Sequence, residues 1–66
     1  MTSNELIRKL RRRTDIAFEP RRGKGGHIQV RRGERKSHIP TGSGELGTGL
    51  LLAILKQLGL TLDDLR

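Results

Sequence analysis

Apolar residues recur along this chain with two different periods, and the change from one to the other marks its architecture. Leu6, Ile7 and Leu10 fall on one stripe at helical spacing. Thr2-Ser3-Asn4-Glu5 in front of them is a capping box: the Thr2 hydroxyl accepts from the Glu5 amide, and Glu5 reaches back. Met1 and Leu6 stand where a hydrophobic staple forms, and the arginines that follow, Arg11 to Arg13, suit the negative end of the helix dipole. The period then drops to two. Ile16 and Phe18 alternate with Ala17 and Glu19, which predicts a strand that Pro20 ends or confines to a sheet edge.

A second alternation, His27 to Arg32 and Arg35 to Pro40, folds about Gly33-Glu34. A two-residue loop with glycine first suits a type II′ turn. That register sets Ile28 opposite Ile39 and Val30 opposite Ser37 on one face, and gathers His27, Gln29, Arg31, Lys36 and His38 on the other, wet face. Between the first strand and this hairpin lies a glycine-rich loop, Arg21 to Gly26. After the hairpin, Thr41 to Gly49 reads as a flexible connector.

Helical spacing returns near Thr48. Leu51, Ile54, Leu55 and Leu58 form a core stripe, Gly59 is the C-cap, and Leu50, Leu52 and Ala53 are more apolar residues than one face needs. Thr61-Leu62-Asp63-Asp64 is a second N-cap signature, with Leu60 and Leu65 as its staple, and predicts a short closing helix. The expected fold is α+β in two layers: helix, three antiparallel strands, helix, with the helices on one face of the sheet. The expectation is one domain over residues 1–66, with the marginal core of so short a chain.

Composition changes the picture in one respect above all. Lys and Arg number 14 against 7 Asp and Glu, for a formal net charge of +7. The basic residues cluster at Arg11–Arg13, at Arg21, Arg22 and Lys24, and at Arg31, Arg32, Arg35 and Lys36. A solvated basic surface is the plain reading; clustering favours a polyanion, above all nucleic acid. No helix combines a basic face with aromatic anchors, which disfavours a membrane surface. The longest apolar run, Leu50 to Leu55, is too short to span a bilayer, and no targeting segment is visible, so a soluble chain is expected. Cysteine is absent, which rules out disulfides and thiolate metal sites and fits a reducing cytosol. Phe18 is the single aromatic residue, so base stacking on aromatics is largely excluded, and recognition leans on phosphates and sugars.

His27 is the candidate for chemistry, since a free imidazole titrates near 6.5 and exchanges protons around neutrality. RNA supplies its own nucleophile, the 2′-hydroxyl. Cleavage then needs a base, an acid and positive charge for the pentacoordinate phosphorus. On strand pattern alone, a surface histidine that pairs with a phosphate or with nothing is the commoner case. Gly23 to Gly26 let backbone amides approach a phosphate, though without P-loop spacing, and a plain loop is nearly as good a reading. His27 with His38 as a zinc pair is disfavoured by the lack of cysteine and of a nearby acid. The two as an acid–base couple depend on the hairpin register, and for His38 alone a solvent-facing strand position is the simpler reading.

The run ELIRKL, a basic loop ending GGH, a hairpin ending HIP and the helix LLLAILKQLGLTLDDL resemble the HicA family of toxins from type II toxin–antitoxin systems. The resemblance covers Glu5 to Leu65, most specifically Gly26-His27 and Ala53 to Leu60. It implies a fold like the double-stranded RNA-binding domain and a ribonuclease that cleaves mRNA with no metal or other cofactor. His27 would be the catalytic residue, and a HicB-type antitoxin would block the site in a hetero-oligomer in the cytoplasm. On this reading Arg21, Arg22, Lys24 and Arg31 hold phosphates, Lys36 adds to that basic face, the amides of Gly25 and Gly26 approach the backbone, and Gln29 lines the same face. The chain departs from many relatives in carrying Gly25, Gly26 and Ile28 where they have serine or a second histidine beside the catalytic one. Two alternatives remain: a non-catalytic RNA-binding module of the same fold, and a basic structural protein of a ribonucleoprotein particle.

Overall fold

The computed structural model describes residues 1–19, 27–41 and 44–66. Its elements run α1 (Ser3–Arg11), β1 (Ala17–Glu19), β2 (His27–Arg32), β3 (Arg35–Pro40), α2 (Thr48–Leu58) and a closing 3-10 helix, Leu62–Leu65. The sheet is antiparallel with strand order β1-β2-β3. This is the expected α+β arrangement.

The capping box at α1 is formed as its sequence dictates. Thr2 Oγ1 accepts from the Glu5 N–H at 3.1 Å, and the Glu5 carboxylate accepts from the Thr2 N–H at 2.8 Å. That bond to the Thr2 N–H, with its hydroxyl, holds Glu5 below its ordinary pKa. At the other end of the chain, α2 closes with a Schellman arrangement. Gly59 takes φ of 74°, its N–H donates to the Lys56 carbonyl, and the Leu60 N–H donates to that of Leu55. The Asp64 carboxylate accepts from the Thr61 N–H at 2.8 Å, fixing the start of the 3-10 helix.

Hairpin register follows the pattern argument. Ile28 faces Ile39, Val30 faces Ser37, and Gln29 faces His38. Gly33 has φ of 63° while no described non-glycine residue has positive φ, which fits a type II′ turn and excludes I′. The strand before the hairpin is shorter than its alternation suggests. Pairing begins at Ala17, with Ile16 half-buried against the core outside the ladder.

Both helices cover the same sheet face. Leu6 and Leu10 from α1, Val30 and Ile39 from the sheet, and Leu51, Ile54, Leu55 and Leu58 from α2 are buried together. Leu46, Leu60 and Leu65 complete this core from the connecting segments, and Phe18 packs at its margin beneath the Arg11 guanidinium, 4.9 Å from the ring centre. Leu46 is brought in because its N–H donates to the Met1 carbonyl while the Ser3 N–H donates to that of Gly44. No helix among the described residues is long and apolar enough to cross a membrane.

Candidate nucleic-acid interface

The sheet face opposite the helices carries the candidate chemistry. Period-two alternation brings His27, Gln29 and Arg31 of β2 to that face, beside Pro40, His38 and Lys36 of β3. His27 and His38 are exposed, as is Lys36. Neither imidazole makes a hydrogen bond or ion pair within the described residues, and Lys36 likewise has no carboxylate partner among them.

Gln29 departs from expectation: it is only 8 % exposed. It sits on the central strand, and Glu19 on β1 pairs opposite it and accepts from its Nε2 at 3.1 Å. The other Glu19 oxygen lies 2.9 Å from Arg31 Nη2. One carboxylate thus holds both residues, so Arg31 meets any incoming anion already paired. Sequence reasoning treated this face as uniformly basic and missed Glu19; its place in the alternation was the available signal. Arg21, Arg22, Lys24, Gly25 and Gly26 lie outside the described residues.

The remaining arginines divide by parity. Arg32 and Arg35 share the strand phase of Val30 and Ser37, so they sit on the helix side at the hairpin end. Arg32 Nε donates to Asp15 at 2.8 Å and its Nη1 to the Leu58 carbonyl at 3.0 Å. Arg13 takes the other Asp15 oxygen at 2.9 Å and donates to the Asp64 carbonyl. Held first by Arg13 and then by Arg32, the Asp15 carboxyl lies well below the usual carboxylate range. These arginines tie the ends of three elements together and are not part of the wet face. The open depression of about 620 Å³ at the hairpin turn, beside Asp15 and Arg32 to Arg35, is therefore lined in part by groups already bound to one another.

A smaller cleft, about 290 Å³, opens where the free edge of β3 meets α2. His27, His38 and Pro40 form one side. Leu50, Ala53 and Gln57 form the other, with Leu50 46 % exposed. Two of the three surplus apolar residues of α2 are accounted for by this wall. Gln57 is anchored at the cleft floor, where its carbonyl oxygen accepts from the Ser37 hydroxyl. No group of three or more His, Cys, Asp or Glu side chains placed to hold a metal ion occurs among the described residues.

The family model described as the HicA toxin of bacterial toxin-antitoxin systems matches residues 3–60. The chain belongs to the HicA toxin family. No curated protein and no solved structure matches it. Membership in the HicA family makes it a component of a toxin–antitoxin system, with an antitoxin as partner. Of the HicA-like run Ala53 to Leu60, the structure commits Ile54, Leu55, Leu58 and Leu60 to the core and Gly59 to the helix cap. Of that run, Ala53, Ile54 and Gln57 line the cleft, Ile54 with a side chain that is otherwise core.

Proposed function

We propose that this HicA-family chain is an endoribonuclease that cleaves mRNA, with His27 as a proton-transferring catalytic residue and no metal cofactor. The RNA 2′-hydroxyl attacks the adjacent phosphorus; the O2′–P bond forms and the P–O5′ bond breaks. One proton leaves O2′ and another must reach O5′. Arg31 and Lys36 on the sheet face, with Arg21, Arg22 and Lys24 before it, hold phosphates, and the amides of Gly25 and Gly26 approach the backbone. Glu19 holds both Arg31 and Gln29, and Gln29 lines the same face. The natural partner is a HicB-type antitoxin that covers this face in a hetero-oligomer, in the cytoplasm, and residues 1–66 act as one domain.

One observation carries the reading: in a chain of this family, His27 stands exposed, with no partner among the described residues, on the sheet face that also presents Arg31 and Lys36. Incubating the protein with mRNA in EDTA tests it. Fragments from the wild type and intact but shifted RNA from His27→Ala are expected, since a general acid or base contributes about 10²- to 10⁴-fold. Intact, shifted RNA from the wild type would make the chain a binding module only. Undiminished cleavage by folded His27→Ala would remove the histidine from the mechanism.

A further inference from the structure

Strand cleavage moves two protons, and a single imidazole accounts for one of them at a time. The cleft between β3 and α2 bears on the second. Of the described side chains that line it, His27 and His38 are the ionisable ones; α2 contributes Leu50, Ala53, Ile54 and Gln57, none of which titrates. The two histidines lie on the same sheet face, diagonal across the β2–β3 pair, because His27 faces Pro40 and His38 faces Gln29. Diagonal neighbours in such a ladder are about 7–8 Å apart, which leaves room for a phosphate between two imidazoles. Both side chains are exposed, and neither is tied to a carboxylate or amide among the described residues.

The opposite wall says where the substrate lies. Leu50 and Ala53 leave apolar surface open to solvent beside the histidines, although the α2 core stripe is complete without them. A sugar or base laid against that surface runs along the edge of β3 and not over the middle of the sheet. This path takes the backbone between His27 and His38.

We propose that His38 is the second proton-transfer group of the cleavage reaction, acting on the opposite side of the scissile phosphate from His27. One imidazole accepts the proton of the attacking 2′-hydroxyl as the O2′–P bond forms. The other donates its proton to the departing 5′-oxygen as the P–O5′ bond breaks. The products are a 2′,3′-cyclic phosphate and a 5′-hydroxyl, and the two imidazoles end with protonation states exchanged. This inference rests on the ribonuclease reading above.

The test compares wild type, His27→Gln and His38→Gln on two RNA oligonucleotides of one sequence. One is ordinary; in the other, sulfur replaces the bridging 5′-oxygen at the cleaved position. Sulfur departs without needing a proton, so the modified strand bypasses the acid. Both variants are expected to keep the wild-type thermal midpoint and to lose at least about 100-fold in kcat on ordinary RNA. The sulfur-bridged strand should restore one of the two variants, the one whose missing imidazole is the acid. If His38→Gln cleaves ordinary RNA within a few-fold of wild type while His27→Gln is dead, the inference fails and the ribonuclease reading stands. If His38→Gln is slow on both strands and the sulfur restores neither variant, His38 has a binding or structural part only, and the inference again fails. Full activity in His27→Gln removes His27 from the mechanism and the pairing with it, while intact RNA from the wild type overturns the ribonuclease reading itself.

Discussion

Arg32 Nη1 lies 3.0 Å from the carbonyl oxygen of Leu58, so a strand residue satisfies the exposed end of α2. The last carbonyls of a helix have no partner within it, and a cation there also meets the negative end of the helix dipole. Its neighbour Arg31 points to the opposite sheet face and meets Glu19. Two adjacent arginines thus have unrelated work.

Substituting each in turn separates them. Arg32→Ala is expected to destabilise by about 1–2 kcal/mol through the lost charge-assisted bond, lowering the thermal midpoint by several degrees. Arg31→Ala removes only a solvent-exposed pair and should leave the stability within about 1 kcal/mol of wild type while weakening RNA binding. Equal thermal effects from the two would contradict the parity assignment.

Glu19 competes with any phosphate for Arg31. Glu19→Gln keeps an acceptor for the Gln29 amide but frees the guanidinium. RNA binding measured by fluorescence anisotropy should tighten, and the slope of log affinity against log salt should steepen by somewhat under one unit, about the effect of one more phosphate contact.

Asp15 makes stability depend on acidity. Its carboxyl is held below its ordinary value of 3.8 by Arg13 and Arg32, so the folded state takes up its proton less readily than the unfolded chain. The stabilisation is complete above that ordinary value and is lost as pH falls below it. Urea unfolding from pH 6 to pH 2 should show a steep decline below about pH 4, flattened in Asp15→Asn. Glu5 and Asp64, lowered by bonds to Thr2 and Thr61, add to the decline in the same direction.

Gly59 is required by geometry. Its φ of +74° is unfavourable for any residue with a Cβ, and a Cβ there would come within 2.9 Å of Arg35 Nε and 3.2 Å of Arg32 Nη1. Gly59→Ala should destabilise by about 1–2 kcal/mol. Gly49→Ala is a control in open space, inside α2, and should be neutral or stabilising.

Much of the fold was legible because the deciding signals are local. Capping residues lie three positions apart, and a two-residue turn fixes every pairing of the hairpin that follows from it. The wet face was legible in membership but not in energetics. Gln29 is bonded by Glu19, which reaches it from a strand whose register a sequence does not state. Asp15 joins Arg13 to Arg32 and brings together parts of the chain that no periodicity connects. Arg32 and Arg35 could have been assigned to the helix side from alternation alone; their charge grouped them instead with a patch to which they do not belong.

Antitoxin binding should register as stability. A partner at 100 times its Kd adds about 2.7 kcal/mol to a domain it binds only when folded. For a chain this small that is a rise of more than about 10 °C in the midpoint. An acidic partner seated on the sheet face would show this rise shrinking in Lys36→Ala and in high salt.

Leu60 and Leu65 share the interior with Leu6 and Leu10, and Arg13 grips the backbone of Asp64. The ribosome must therefore have translated past Leu65 before the pieces that seal this interior exist. Contacts this far apart in sequence form together or not at all. A chain cut short of these leucines lacks part of its interior and is expected to stay unfolded.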